Sequence, residues 1–265
     1  MLNINKLIQQ GVAAHKEGKL KEAKLNFKKA IELKPDYYQA YYNLANIQIE
    51  LNRLDEALSN LKKTIELNPG FATAYNNLGV IFDKLGKLNE SEISYKKTIE
   101  LNPNLADPHN NLGAIYNKLG RFDEAEISYK KALQINPNYA EALNNLGNNY
   151  LYTEKYDEAI KQYSRSLELK PNQVVTKRNI ISLLSYFTPN KKNNNSIVIA
   201  NDNLKKIKNN FTLKDGIKKN DLINLFKDSN KVIRDNNKEL TIEETQIYRK
   251  NSTNLNCKRH KEIFN

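Results

Sequence analysis

Cysteine occurs once in this chain of 265 residues. No intrachain disulfide framework is therefore possible, and a reducing compartment, the cytoplasm, is the expectation. Long apolar runs are also missing: no stretch approaches the roughly 18 consecutive apolar residues that a membrane-crossing helix needs. The N-terminus, MLNINKLIQQGVAAHKEGKL, lacks the uninterrupted apolar core of a signal peptide and reads as a first helix. Catalytic motifs are absent as well, with no Gly-x-Ser-x-Gly, His-Glu-x-x-His or Gly-x-Gly-x-x-Gly. The segments Gly11 to Lys19 and Gly79 to Lys87 resemble a phosphate loop only superficially, because Leu follows each Gly-Lys and no strand precedes them. His15 has no second ligand at metal spacing, and Cys257 with His260 supplies two candidate ligands where a site needs more. Neither a catalytic residue, a cofactor nor a metal is expected.

What the chain does have is a period. Pro35, Pro69, Pro103, Pro137 and Pro171 recur at one fixed interval, each preceded by Glu or Gln, then Leu or Ile, then Lys or Asn. A fixed period of this size marks stacked supersecondary units, here 4–37, 38–71, 72–105, 106–139 and 140–173. Within each unit two apolar stripes at helical spacing flank a short turn: Gly18-Lys19, Asn52-Arg53, Gly86-Lys87, Gly120-Arg121 and Glu154-Lys155. Each unit is predicted to be a helical hairpin. Proline ends the second helix, since it cannot continue it. Small residues at position 8 and position 20 of each unit let the two helices approach, and large residues at positions 4, 11 and 24 fill the space around them. Most of the tyrosines are thus expected to pack rather than bind. The pairs Asp55-Glu56, Asp123-Glu124 and Asp157-Glu158 recur at the start of second helices, where the helix dipole favours negative charge, and are read as helix-start residues. The first unit shows no evident polar cap.

The pattern resembles the tetratricopeptide repeat family over about two thirds of the chain. Unit four carries it most fully, with Leu112, Gly113, Tyr116, Ala125, Tyr129, Ala132 and Pro137, and with His109 at position 4 where the family prefers Trp. Unit three has Ser91 and Thr98 in place of the alanines, and units one and two are looser, with Gln10, Ala14 and Gln48 at core positions. The resemblance implies an all-α, right-handed superhelix whose first helices line a concave face. On that face position 6 reads Gln9, Asn43, Asn77, Asn111, Asn145. An asparagine amide carries donor and acceptor together, so it can bond both the N–H and the C=O of an extended peptide without reading side chains. Asn76, Asn110 and Asn144 at position 5, and Asn46 and Asn148 at position 9, widen the polar strip, and Tyr42 is expected to be an exposed aromatic beside the packed Tyr41. The row is similar to the arrays of the O-linked N-acetylglucosamine transferases. That likeness implies either a protein-protein interaction scaffold for an extended peptide or the substrate-recruiting part of a modifying enzyme whose catalytic domain lies outside this chain. The family's carboxylate clamp is rejected, because no lysine stands at position 5 or position 2 of any unit.

The net charge of +12 is unevenly distributed: residues 1–173 hold 23 basic and 21 acidic residues, and the remainder hold 19 and 9. Lys, Asn and Ile are abundant throughout, as AT-rich codons produce, so solvated lysines are preferred over a polyanion site, with nucleic-acid contact through the basic tail as the alternative. Residues 174–187 are predicted to form a capping helix, 188–196 a linker, and 197–265 a helical or partly disordered tail. The chain stops on Ile263 and Phe264 with no terminating segment, and its last residues resemble the opening of a region found after such repeats in some bacterial proteins. A domain cut short is the expectation there.

Overall fold

The computed structural model describes residues 3–184. The expectations for 188–196 and 197–265, including the basic tail and the apparent cut, lie outside the described residues. Throughout the described part the protein is all-α, a solenoid of helical hairpins, and it divides into two compact units at Asn136. The first unit holds four hairpins. They are formed by α1 (Ile4–Lys16) with α2 (Leu20–Leu33), α3 (Tyr38–Glu50) with α4 (Leu54–Leu67), α5 (Ala72–Lys84) with α6 (Leu88–Leu101), and α7 (Ala106–Lys118) with α8 (Phe122–Ile135). The second unit holds one hairpin, α9 (Ala140–Tyr152) with α10 (Tyr156–Leu169), followed by α11 (Val174–Leu184).

Each hairpin turns in three residues. In the first, Gly18 adopts φ +72°, its N–H reaches His15 O at 3.0 Å, and the Lys19 N–H reaches Ala14 O at 2.8 Å. Those two bonds satisfy carbonyls that the end of α1 would leave unpaired, and the left-handed residue between them is the reason for glycine. Asn52 and Glu154 take the same conformation, φ 56° and 58°, without being glycine. The 6→1 bond is nevertheless kept, from Arg53 N to Gln48 O at 2.7 Å and from Lys155 N to Tyr150 O at 2.8 Å. Asparagine tolerates this region, but for glutamate it costs about 1–2 kcal/mol. Glu154 is exposed. Glu154→Gly is therefore expected to raise stability by roughly 0.5–1 kcal/mol after glycine's own entropy cost. Chemical denaturation tests this, and an unchanged or lower midpoint would show that the turn carries no strain.

Between hairpins the chain is extended. Lys34, Asn102 and Asn136 end their helices in β geometry directly before proline, as the proline ring demands of the preceding residue. One expectation needs correction at the N-terminus. Asn3 does cap α1, its side-chain oxygen accepting from the Asn5 N–H at 3.0 Å, so the first helix opens on an ordinary polar cap.

The interior of every hairpin is set by a facing pair, position 8 on the first helix and position 24 on the second. A Cβ added to Gly11, Gly79, Gly113 or Gly147 would come within 2.5–2.7 Å of a ring carbon of Phe27, Tyr95, Tyr129 or Tyr163 respectively. The second hairpin solves the same problem the other way round, with Ala45 and Leu61, both fully buried. Where alanines give way to hydroxyl residues, the backbone receives the proton: Ser91 Oγ donates to Gly79 O at 2.8 Å, and Ser166 Oγ to Ala140 O at 2.7 Å. Gln48, at a position aromatic in three other hairpins, is only 3 % exposed. It donates to Glu56 Oε2 at 3.0 Å and accepts from Asn60 Nδ2 at 2.7 Å, which makes its burial tolerable.

Candidate functional site: the first-helix asparagines

Residues one repeat apart occupy equivalent places on successive first helices, so position 6 forms a row on one face within each unit. In the first unit Asn43, Asn77 and Asn111 are all half-buried. They are held differently. Asn77 Nδ2 donates to Asn46 Oδ1, position 9 of the preceding hairpin, at 2.7 Å. Asn43 follows a hairpin with Val12 at that place, and its Nδ2 turns back to Gln39 O at 2.8 Å. Asn111 follows one with Val80 there, and its Oδ1 receives Asn110 Nδ2 at 3.4 Å. An asparagine at position 9 thus ties the next position-6 amide across the hairpin boundary.

The second unit repeats the rule. Asn148 Oδ1 accepts from Asn179 Nδ2 of α11 at 2.7 Å and from the Tyr163 hydroxyl at 2.7 Å. Burial, with a minor effect from Tyr152, pushes the Tyr163 hydroxyl pKa up, so it remains a donor at any physiological pH. Sequence reasoning misses Asn179 as a member of the row. The signal is there, since Asn179 stands one full repeat after Asn145, but a helix read as a cap carries no repeat register to align it. α11 begins one full repeat after α9 and occupies the place of a next first helix.

Position 5 behaves otherwise. Asn110 and Asn144 are 6 % and 5 % exposed. Asn144 Oδ1 accepts from Thr176 Oγ1 at 2.9 Å and from Asn179 Nδ2 at 3.0 Å, which seats it between α9 and α11. Asn76 is half-buried, and its Oδ1 has no hydrogen-bond partner among the described residues. Asn145 is half-buried on α9. Tyr42 is half-buried too, its ring edge-on to Phe71 at a centroid distance of 4.9 Å, and it belongs to the core around Ala45 and Leu61. The expected exposed aromatic is a packing residue because Phe71, at the start of the next hairpin, closes over it.

Chemically the strip is uncharged. A rung such as Asn46–Asn77 uses one acceptor and one donor, leaving Asn46 Nδ2 and Asn77 Oδ1 outside that bond. His109, at position 4 on α7, is buried with Nε2 3.2 Å from Pro103 O. Burial lowers its pKa although the carbonyl opposes this, so the neutral ring donates to that carbonyl. His15 Nε2 lies 2.8 Å from Glu50 Oε1 on the next hairpin. Among the described residues no three His, Cys, Asp or Glu side chains are grouped to hold a metal, and no helix is long and apolar enough to cross a membrane.

Hairpins of two antiparallel helices repeated at a fixed period, with small residues at position 8 against large ones at position 24, define a helical-repeat protein of the kind that stacks units into a solenoid. Tetratricopeptide repeat models match residues 14–78, 72–105 and 104–172, and the chain belongs to the tetratricopeptide repeat family. That family is one of protein-interaction scaffolds. No curated protein matches in sequence. Among solved structures, the chain is similar to TTC0263, a thermophilic TPR protein of Thermus thermophilus, at 27 % identity over 69 % of this chain and 99 % of that one, with a TM-score of 0.56. MamA is similar at 24 % identity over 64 % and 93 %, TM-score 0.56. YrrB, described as a TPR protein with an unusual peptide-binding site, is similar at 21 % identity over 66 % and 91 %, TM-score 0.55. At these last two identities the likeness concerns the fold.

Proposed function

We propose that this protein is a non-catalytic scaffold that holds an extended segment of a partner protein along its first-helix face, gripping the main chain. The observation that carries the reading is the Asn46–Asn77 rung, which ties two amides together and leaves one donor and one acceptor outside the bond, on a strip without charged groups at position 6. Asn43 and Asn111 continue it in the first unit, and Asn145, Asn148 and Asn179 carry the same chemistry in the second. Rows of this kind meet an extended peptide, rising about 3.3 Å per residue, once in roughly three residues. At position 5, Asn110 and Asn144 are buried and contribute packing, while Asn76 keeps a side-chain oxygen without a partner among the described residues. The peptide-binding site for which YrrB is described supports the reading by analogy of fold. A substrate-recruiting array attached to a modifying enzyme is the alternative, and it would use the same main-chain capture.

The test is affinity for extended, uncharged peptides, measured on the full chain and on its Asn77/Asn111/Asn145→Ala variant. Three lost amides, at about 0.5–1.5 kcal/mol each, should weaken binding by tenfold or more. The melting temperature should fall by only a few degrees, the cost of losing bonds such as the Asn77 inter-hairpin rung. Backbone N-methylation of the peptide should have the same effect, while exchanging its side chains should matter less. Equal binding by both proteins would remove the row from the site.

A further inference from the structure

Positions 21 and 22 of the repeat are filled in two opposite orders. In α4 and α10 the apolar residue comes first: Leu58 packs against the core and Ser59 is exposed, and Ile160 is 2 % exposed with Lys161 outside. In α6 and α8 the order is exchanged. Glu92 and Glu126 turn inward, their side chains 13 % and 17 % exposed, and Ile93 and Ile127 stand outward at 68 % and 69 %. The inward carboxylates are provided for. Lys96 Nζ lies 2.7 Å and Arg121 Nη1 2.6 Å from Glu92, and Lys130 Nζ lies 2.6 Å from Glu126. The outward isoleucines keep about two thirds of their surface in water. α2 shares this order with Lys24 and a less exposed Leu25, but α4 stands between it and the pair. Exchanging two residues to bury a charge and expose an apolar group, in two successive hairpins, opposes the local pattern that folding rewards, and such conflicts gather where a surface has work to do.

The charges around the pair indicate what covers it. α6 carries Glu90 one turn before Ile93 and Lys97 one turn after, and α8 carries Glu124 and Lys131 at the same offsets from Ile127. Each helix therefore runs acid, isoleucine, lysine. The other second helices share these flanking charges, so the adjacent isoleucines are what single out α6 and α8. A partner of one charge sign would be repelled at one end, whereas a copy of the same surface turned by a two-fold axis meets opposite charge at both ends.

We propose that α6 and α8 form the interface of a symmetric homodimer. α6 of one subunit lies antiparallel on α6 of the second copy, and α8 on α8, so that each isoleucine meets its own copy, Glu90 lies beside the partner's Lys97 and Glu124 beside the partner's Lys131. The helix dipoles also oppose in that pairing. This surface lies on the second helices and is independent of the asparagine row.

Sedimentation equilibrium of the full chain, followed from micromolar concentration to about 1 mM, should show reversible dimerisation. Replacing Ile93→Ser and Ile127→Lys, which installs the residues that α4 and α10 hold at this position, should weaken it at least 100-fold with an unchanged melting temperature. Lys97→Glu alone should weaken dimerisation, and adding Glu90→Lys in the same chain should restore it, because the two meet across the axis. A wild-type chain that stays monomeric to about 1 mM overturns the proposal. So does a double isoleucine variant that dimerises like the wild type, a charge exchange that restores nothing, or a monomer whose isoleucines bind an unrelated peptide instead.

Discussion

Gly113→Leu is expected to destabilise the first unit by about 3 kcal/mol, the upper part of the range for overpacking a close-packed interior. A single added Cβ would already lie 2.7 Å from Tyr129 Cε1, and Tyr129 is 1 % exposed, so neither the ring nor the helix behind it has room to yield. Leaving glycine in a helix interior returns at most about 1 kcal/mol of propensity, too little to change the sign. Against a total of roughly 5–15 kcal/mol for a domain, this is a large share. The milder pair Gly113→Ala with Tyr129→Leu copies Ala45 and Leu61 of the second hairpin, and in a double-mutant cycle the two changes should couple favourably by about 1 kcal/mol. Urea denaturation reads both. Wild-type stability in Gly113→Leu would mean that α7 and α8 do not face each other in this register.

Asn144→Ala should cost about 2–3 kcal/mol, and the loss should be felt first at α11. Removing its carbonyl leaves the fully buried Thr176 hydroxyl with only Ser166 Oγ, 3.5 Å away, and takes one bond from Asn179, and a poorly satisfied buried donor costs roughly 1–3 kcal/mol. Hydrogen exchange should therefore show faster exchange across residues 174–184 while protection in the first unit is unchanged. Peptide affinity of the Asn43–Asn111 row should stay as it was, which separates this residue from the binding row despite its place beside Asn145. Undiminished protection of α11 would show that Asn144 does not hold it.

These two residues also mark how far the sequence can be read. The repeat period locates helices, turns and prolines because each is a local demand: a glycine where φ turns positive, a proline that cannot continue a helix, a small residue where two helices touch. It also identifies which face a residue occupies. What it does not contain is the depth of that face, since depth depends on what the neighbouring hairpin brings. Asn144 looks like one more member of a wet strip until Thr176 and Asn179 arrive 32 and 35 residues later. Tyr42 looks exposed until Phe71 closes on it. Gln48 looks like an error in a core position until Glu56 and Asn60 are seen to face it. The Asn46–Asn77 rung is likewise a property of two hairpins together. A single repeat, read alone, holds only half of it.

That rung spans 31 residues, as does the one between Asn148 and Asn179. The spacing makes the gene easier to lengthen by whole units than by small steps. Duplicating one whole repeat between two prolines would insert a hairpin and leave every existing pair at its old separation, whereas inserting one codon inside α5 would rotate everything after it by about 100° about the helix axis. Length in this protein is thus a quantity that evolution can change in one event, while the direction in which its asparagines point is guarded against gradual drift.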